Sequence, residues 1–242
     1  MCFLGVWRCP QLLQVNHYFK RPIIGFMATY YKYREMGVSP SLVYKRTKDI
    51  FVNSRLFMAT YSSMNDPMEA FYYGNMLTHD DIINIKRDKT KIRICSLSKT
   101  YSDVLMWAHY GGAHRGICLE VEIDDSNCSE REINYDSQLW TPNNNYNDVA
   151  EDIMSHKLIP WQYEDEVRFI RKLNGGEHNP QFLNIHITKV YLGCALTNND
   201  VQKFQRRINC WLSSKHHPLV PVCQLQQDDL TYWNGNDHVC LL

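Results

Sequence analysis

The chain of 242 residues predicts a single α+β domain, and three observations support that fold class. A single hydrophobic core grows to about 250 residues before chains divide into several domains. The content of 44% hydrophobic and 12% aromatic residues is typical of an ordered globular protein. Strand patterns and helical patterns follow one another irregularly, with many helices between strands that are not adjacent, which favours α+β.

The domain is predicted to span residues 27–226. Residues 1–26 lack the cleavage site of a secretory signal and form an N-terminal extension, with Met27 as a candidate start. Residues 227–242 form a polar tail that we expect to fray. Within the domain, strands are predicted at 30–34, 55–59, 92–97, 117–122, 133–135, 164–170, 182–192 and 219–225, and helices at 40–51, 78–87, 102–110, 149–158 and 197–211.

The first elements are predicted from alternation and from capping residues. In the first strand, Lys32 and Arg34 lie on one face and tyrosines on the other. Ser39 followed by Pro40 is typical of a helix start. After the second strand, the sequence SMNDP carries dense turn chemistry, and Thr78 then begins a helix with acids in its first turn and bases in its last.

The most informative stretch contains the third and fourth predicted strands. Ser96 and Ser98 lie at the end of the third strand, and because they are spaced by two they point to the same side of the pleat. Ser102 predicts the start of a short helix, and two successive glycines end it before the fourth strand begins. Polar and aromatic residues therefore gather at turns where the core does not require them.

The later elements follow the same rules. A helical pattern that begins near residue 149 is expected to end at Pro160. Beyond it, Glu164, Glu166 and Arg168 alternate with other residues, which predicts a strand with all three on one face. Thr197 predicts the N-cap of the last helix.

Charge and cysteine usage restrict the class of protein. The 26 basic and 26 acidic side chains give a net charge of zero, which gives no whole-molecule reason for a nucleic-acid coat or an anionic membrane partner but permits a local basic patch. No apolar run reaches the ~20 residues of a membrane-spanning helix, and we expect no membrane partner. The nine cysteines are scattered without a CxxC pair, which is typical of reduced thiols and predicts a cytoplasmic protein.

The sequence lacks several common site motifs. It contains no GxGxxG, Walker loop or GxSxG, which counts against Rossmann, P-loop and hydrolase chemistry. His109 and His114 are separated by five positions across a glycine turn, so they do not match the spacing of a helical metal pair. We therefore predict no metal site.

Three pairs of polar residues lie on separate predicted strands, and the members of each pair are spaced by two: Lys32 with Arg34, Ser96 with Ser98, and Glu164 with Glu166. If all three pairs faced one cleft, the cations would hold a phosphate or ribose and the hydroxyls would orient a polar substrate edge. A carboxylate would stabilise an oxocarbenium-like sugar during cleavage of a nucleotide–sugar bond. Trp107 and Tyr110 would stack on a flat base.

Simpler structural interpretations exist for each of these residues. Arg34 would then form an ordinary surface ion pair. The two serines would satisfy backbone groups at a strand end. The two glutamates would be the solvated face of an edge strand, with Glu166 paired to Arg168. Trp107 would belong to the core.

The motifs YKYR, SSMNDPMEAF, ICSLS, MWAHYGGAHRGICLEVE, HKLIPWQYEDEVRFI and KVYLG follow one another between about residues 30 and 193. In this order they resemble the bacterial family called domain of unknown function 2971. The motif order is similar to that of the ADP-ribosyltransferase fold, in which a basic or histidine residue, a Ser-x-Ser and a late glutamate lie on successive strands. The resemblance implies a mixed or antiparallel split β-sheet flanked by helices.

The resemblance also implies roles for individual residues, with NAD as the substrate. Glu166 would be the catalytic carboxylate and Glu164 would assist it. Asn65, Asp66 and Glu69 would close the site or contact the substrate. The cofactor-binding residues would be Arg34 or Lys32 on the first strand, Ser96, Ser98, Trp107, His109, Tyr110 and Arg115.

The leading hypothesis is an NAD-dependent ADP-ribosyltransferase that modifies a macromolecule, either nucleic acid or protein. Such a protein would be a bacterial toxin or phage-defence effector, with an antitoxin or operon partner. One alternative is a module that senses or binds nucleotides or nucleic acid without catalysis. Another is a nuclease or glycosidase that uses Glu164 and Glu166, with His109 as the base.

Overall fold

The structure is a computed structural model that describes residues 28–66, 68–74, 77–141, 149–174, 179–235 and 237–240. The predicted N-terminal extension, residues 1–26, lies outside the described residues. The strands are β1 (Thr29–Arg34), β2 (Arg55–Met58), β3 (Ile92–Ser98), β4 (Ile117–Ile123), β5 (Ser129–Glu132), β6 (Asn134–Asp136), β7 (His156–Leu158), β8 (Glu166–Lys172), β9 (Gln181–Leu192), β10 (Val222–Gln224), β11 (Thr231–Trp233) and β12 (His238–Cys240). The helices are α1 (Leu42–Asn53), α2 (His79–Lys91), α3 (Val104–His109), α4 (Val149–Met154) and α5 (Asn198–Ser213).

A large mixed sheet dominates the fold. Its strand order is β10-β9-β4-β1-β3-β8-β5, and β2 pairs with β9 outside this path. The pairs are antiparallel except for β9 with β10. The predicted α+β class, with a large and mainly antiparallel sheet, is confirmed.

Strand β1 is paired unequally along its two edges. Six register pairs join it to β4, whereas within the described residues Tyr31 with Ser98 is the single pair that joins it to β3. Beyond that pair the two strands separate, and Lys32 Nζ donates a hydrogen bond across the gap to the carbonyl oxygen of Ser96 at 2.7 Å. The separation creates an opening inside the sheet.

Helices cover the sheet through three apolar clusters. Helices α1 and α5 pack with β2, β4 and β9, where the Phe51 and Trp211 ring centroids are 5.5 Å apart. Helices α2 and α4 pack on β3 and β8 around Ile153, which is fully buried. Helix α3 packs near β1, where the rings of Tyr33 and Trp107 meet edge to face at 5.3 Å. Burial of these faces, at about 25 cal/mol per Å² of apolar surface, stabilises the fold.

The predicted helix 149–158 is wrong in its second half. Helix α4 ends at Met154, where the helical apolar spacing stops. The next residues form β7, which runs parallel to β6. In β7 the Lys157 side chain is buried while its two neighbours are only half-buried. This alternation of burial is that of a strand and not of a helix.

Three predicted boundaries also change. Glu164 does not lie on the strand with Glu166, because it ends a 3₁₀ helix, Ile159–Glu164, and Asp165 adopts a left-handed conformation with φ 42°. Asp103, rather than Ser102, caps α3 by accepting hydrogen bonds from two backbone N–H groups at 2.9 Å. Similarly, Ser41 caps α1 in place of the predicted start at Ser39.

The expectation that the chain frays after Gln226 is wrong for the residues described there, 227–235 and 237–240. Strands β11 and β12 form an antiparallel hairpin. Thr231 contacts Ser102 beside α3, with their hydroxyl oxygens 3.0 Å apart, and Leu230 is buried. The segment is polar in sequence, and its partners lie far away along the chain, so local sequence does not reveal these contacts.

The N-cap of α2 gives a test of local stability. Thr78 Oγ1 accepts the Asp81 backbone N–H at 3.2 Å, and Asp81 Oδ2 accepts the Thr78 backbone N–H at 2.9 Å. Thr78→Ala removes the first of these bonds and should lower the free energy of unfolding by about 0.5–2 kcal/mol, measured by urea denaturation. Thr90→Ala, in the last turn of the same helix, is the control and should stay within about 0.5 kcal/mol of wild type. Equal effects would show that the cap adds nothing.

Candidate functional site

A cavity of about 840 Å³ lies at the opening between β1 and β3. It is lined by all three predicted pairs of polar residues: Lys32 and Arg34, Ser96 and Ser98, and Glu164 and Glu166. The register of β3 and β8 explains part of this arrangement, because Ser98 pairs with Glu166 and Ser96 with Arg168. Residues far apart in sequence therefore meet around one space.

A buried guanidinium lies at one end of the cavity. Arg168 is fully buried, and its Nη1 and Nη2 donate to the two carboxylate oxygens of Glu69 at 2.6 and 2.9 Å. Its Nε donates to Glu166 Oε1 at 2.7 Å, and Nη1 also donates to the carbonyl oxygen of Met154. This fork geometry is that of a bidentate arginine–carboxylate pair, which fixes orientation as well as charge.

A lysine extends the arrangement to a third carboxylate. Lys157 Nζ donates to Glu166 Oε2 at 3.0 Å and also to Glu164 Oε2. The Tyr110 hydroxyl donates to Glu164 Oε1 at 2.6 Å. We call Glu69, Arg168, Glu166, Lys157 and Glu164 the buried charge network. Three carboxylates here face two cations, so the network favours either one proton or one further positive charge.

The two central carboxyls differ in acidity. Burial raises the pKa of Glu164, and this effect outweighs the attraction of Lys157. Burial acts in the same direction on Glu166, but the charges of Arg168 and Lys157 exceed it, so the pKa of Glu166 is lowered. Glu166 is therefore the permanent anion and Glu164 the better proton acceptor. Both side chains are buried, so the interpretation as a solvated strand face is wrong.

The turn that follows β2 brings Glu69 to the network. Ala59 and Ile94 exchange backbone hydrogen bonds of 2.7 and 2.8 Å, which hold the start of this turn against β3. Lys89 Nζ then donates to the carbonyl oxygen of Ala70 at 2.7 Å and fixes the end of the turn. Glu69 thus has a structural contact with Arg168, in addition to the cavity-lining position it shares with Asn65 and Asp66.

Cations gather at another part of the cavity wall. Arg34 donates from Nε to Thr47 Oγ1 at 3.2 Å, and Arg46 and Lys45 of α1 line the same cavity. Burial and the nearby charge of Arg46 lower the pKa of Arg34. Within the described ranges none of these three cations forms an ion pair with a carboxylate. Uncompensated guanidinium groups of this kind suit an anionic ligand such as a phosphate.

The two serines differ in their roles. Ser98 Oγ accepts the Thr100 backbone N–H at 3.2 Å, which matches the simpler interpretation of a strand-end contact. Ser96 Oγ is buried and makes no hydrogen bond of standard geometry with the described residues. It contributes to the lowered pKa of Glu166, which places it beside that carboxylate. Of the two hydroxyls, Ser96 is therefore the one that is not bound to a neighbouring backbone group.

Two predicted site residues lie away from the cavity, and two others line it. Trp107 is fully buried and donates from Nε1 to the carbonyl oxygen of Tyr101 at 2.8 Å, so the expected stacking by Trp107 is wrong and this residue belongs to the core. Arg115 is exposed and does not line the cavity. His109 and Tyr110 do line it.

Sequence reasoning missed three of the charged groups in this site. Lys157 was assigned to a helix, although alternation through β7 indicates that its side chain points inward. Lys45 and Arg46 were not named as site residues at all. The signal for them lies in the sequence of α1, where three cations follow one another closely with no acid in the first turn.

Comparisons of the protein with known protein families, with curated proteins and with solved structures find no match. In the part of the chain that the structure describes, no helix is long and apolar enough to cross a membrane. Across those same residues, no three His, Cys, Asp or Glu side chains are grouped to hold a metal ion.

The contribution of Arg168 can be measured by substitution. Arg168→Met leaves Glu69 and Glu166 buried without their main partner and should lower the free energy of unfolding by about 3–5 kcal/mol in urea denaturation at neutral pH. The control is Arg55→Met, because Arg55 pairs with Asp49 at 3.0 Å and both side chains are about one-third exposed. Its cost should stay within about 1 kcal/mol. Similar costs for both variants would show that the buried pair adds no more than a surface pair.

The opposite pKa shifts predict opposite pH dependence. Because the pKa of Glu166 is lowered, its stabilising contribution is complete above the ordinary carboxyl value of about 4.3 and is lost as the pH falls below it. The difference in unfolding free energy between wild type and Glu166→Gln should therefore shrink as the pH is lowered from ~5.

Glu164 supplies the matched comparison. Its pKa is raised, so its contribution is complete below the ordinary carboxyl value and is lost as the pH rises through the folded-state value. The difference between wild type and Glu164→Gln should shrink as the pH rises from ~4. Parallel curves for the two variants would contradict the assigned protonation states.

Proposed function

We propose that the protein is an NAD-dependent, ADP-ribosyltransferase-like enzyme that passes ADP-ribose to a macromolecule. One observation carries this proposal: a single cavity is lined both by cations that pair with no carboxylate among the described residues and by a buried network with an excess of negative charge. The volume of about 840 Å³ lies within the ~300–1,000 Å³ of ordinary ligand pockets. The choice of NAD among anionic ligands rests on the resemblance of the motifs.

The two kinds of charge suit the two ends of this substrate. Arg34 would hold the pyrophosphate, and Ser96 and Tyr110 would order the nicotinamide half. When the bond between ribose C1′ and the nicotinamide nitrogen breaks, its electron pair leaves with nicotinamide, and positive charge develops on the sugar. The anion of Glu166 would stabilise that charge.

The second half of the reaction completes the transfer. A nitrogen or oxygen of the acceptor forms the new bond to C1′, and its proton passes to a base. Glu164 suits this task because its raised pKa makes it a stronger base than an ordinary carboxylate. The separation of β1 from β3 also supports the proposal, since the expected fold has a split sheet.

Cellular context is part of the same proposal. The described cysteines are all free, which suits the cytoplasm. A toxin or phage-defence effector with an antitoxin or operon partner would follow from the resemblance of the motifs.

A second candidate function is a nucleotide-binding module without catalysis. It is favoured by the double pairing of Glu166, whose charge is already met by Arg168 and Lys157. Such a carboxylate has less charge to offer a reacting sugar. The carboxylate nuclease or glycosidase gains less support, because Lys157 already pairs with both of its carboxylates, Glu164 and Glu166.

The experiment is to incubate the full chain with NAD and mixed nucleic-acid and protein acceptors and to measure released nicotinamide. Glu166→Gln should lower the rate by ~10²-fold or more, because it removes a preorganised charge. Glu132→Gln is the matched control, since the Glu132 side chain is 73% exposed on β5 and does not line the cavity. It should leave the rate unchanged.

Two results would reject catalysis. One is the absence of nicotinamide release by the wild type, and the other is equal rates for wild type and Glu166→Gln. Titration calorimetry then separates the second candidate, for which NAD binds without turnover and Arg34→Gln weakens binding while Glu166→Gln does not.

A further inference from the structure

An exposed aromatic surface lies on the β2 side of the cavity wall. Phe57 of β2 and Phe182 of β9 are direct register partners, with ring centroids 5.9 Å apart. The Arg55 guanidinium lies over the Phe182 ring at 3.7 Å from its centroid. All three line the cavity, and Phe57 is 58% exposed. We call these three residues the aromatic platform.

The core does not require the exposed ring of the platform. Leu56 and Met58, on the opposite face of β2, are buried and supply the apolar contacts of this strand. Arg55 is also held in place, since Asp49 accepts from its Nε at 3.0 Å and its Nη2 at 3.1 Å. The two rings of the platform meet edge to face at 74°, so the exposed Phe57 ring offers an aromatic face with the Phe182 ring and the Arg55 guanidinium beside it, and this face is suitable for a stacked base.

The cations around the platform exceed the needs of a dinucleotide. Arg34, Lys45 and Arg46 line the cavity, and Lys48 follows them, exposed, on the next turn of α1. In the residues that the structure covers, none of the four pairs with a carboxylate. A dinucleotide has only two phosphates, whereas a nucleic-acid strand has one per nucleotide. This local excess occurs on a chain of zero net charge.

We propose that the platform and these cations bind single-stranded nucleic acid, and that this strand is the ADP-ribose acceptor. A base stacks on Phe57, and the flanking phosphates contact Lys45, Arg46 and Lys48. A single strand is required because the bases of a duplex already stack on one another. The identity of the acceptor rests on the proposed function, but the binding of the strand does not. In the transfer, C1′ of the ribose bonds to a base nitrogen or oxygen, nicotinamide leaves with the electron pair, and the acceptor proton passes to Glu164.

The first experiment measures binding without NAD. Labelled 12-nucleotide single strands of mixed-sequence DNA and RNA are titrated with the full chain, and fluorescence anisotropy is recorded. Phe57→Ala should weaken binding by about tenfold or more, since stacking on an aromatic ring contributes on the order of 1–3 kcal/mol per base. Phe57→Trp should restore it, because tryptophan offers a larger stacking surface. Phe71→Ala is the control: Phe71 is 54% exposed and does not line the cavity.

The second experiment tests the phosphate contacts. The double variant Lys45→Gln/Arg46→Gln should flatten the slope of log affinity against log salt by about 1.4, since each contact on a single strand contributes about 0.7. Lys86→Gln/Arg87→Gln on α2 changes the charge equally, lies away from the cavity, and should leave the slope unchanged.

The outcomes separate this inference from the proposed function. Failure of the wild type to bind single strands, or equal binding by Phe57→Ala and Phe71→Ala, would overturn it. So would a Phe57→Ala variant that loses affinity for NAD instead, because the platform would then hold adenine. With labelled NAD, label on protein but not on oligonucleotide would overturn the acceptor. Oligonucleotide binding without nicotinamide release would uphold the binding site and reject the proposed function together with the acceptor role.

Discussion

The fully buried guanidinium of Arg168 is the interaction on which the arrangement of the site depends. It joins its own strand to the turn that holds Glu69 and to the end of α4 at Met154. A charge without a partner at this depth would be very unfavourable, so each contact requires the others. Such networks contribute less to net stability than their geometry suggests, because removing the charges from water offsets much of their attraction, but their contacts hold these segments in one arrangement. Here that arrangement places two carboxylates of different acidity at the wall of a cavity.

The opening in the sheet and the buried charge network are connected through β3. One edge of β3 pairs with β8 along seven residues, from Ile92 to Ser98, and this pairing determines where Glu166 and Arg168 lie. The other edge separates from β1 after a single pair. The rigid edge therefore positions the charges, and the open edge gives a ligand access to them. Neither edge alone would make a site.

Much of the fold follows from local sequence rules. Alternation predicted β1, β3, β4 and β9 closely, because these strands bury one face or lie inside the sheet. Thr78 and Thr197 were recognised as N-caps because a cap is a contact within a few residues. The end of α4 was missed because helical and alternating patterns meet there, and the burial of Lys157 depends on carboxylates in a later segment.

In the site, too, local patterns were predicted and contacts between distant residues were missed. Because Ser96 and Ser98 are two positions apart, they were predicted to share a face of their strand. The motif order led us to expect that the three polar pairs converge on one cavity. The burial of Trp107 depends on contacts with distant residues such as Tyr33, which spacing does not reveal. The pairing of Glu69 with Arg168 spans 99 positions, and no local pattern predicts a contact of that range.

The separated strands have a consequence for recognition. Where β1 and β3 part, the continuous ladder stops and other groups meet β3: Lys32 Nζ donates to the Ser96 carbonyl oxygen, and Ala59 exchanges backbone hydrogen bonds with Ile94. Peptide groups therefore form part of the margin of the gap, where they can contact an entering molecule and select it by shape and polarity. Every amino acid except proline carries the same peptide donor and acceptor. The contribution of these peptide groups to ligand selectivity would therefore be retained when the side chains of β1 and β3 are replaced during evolution.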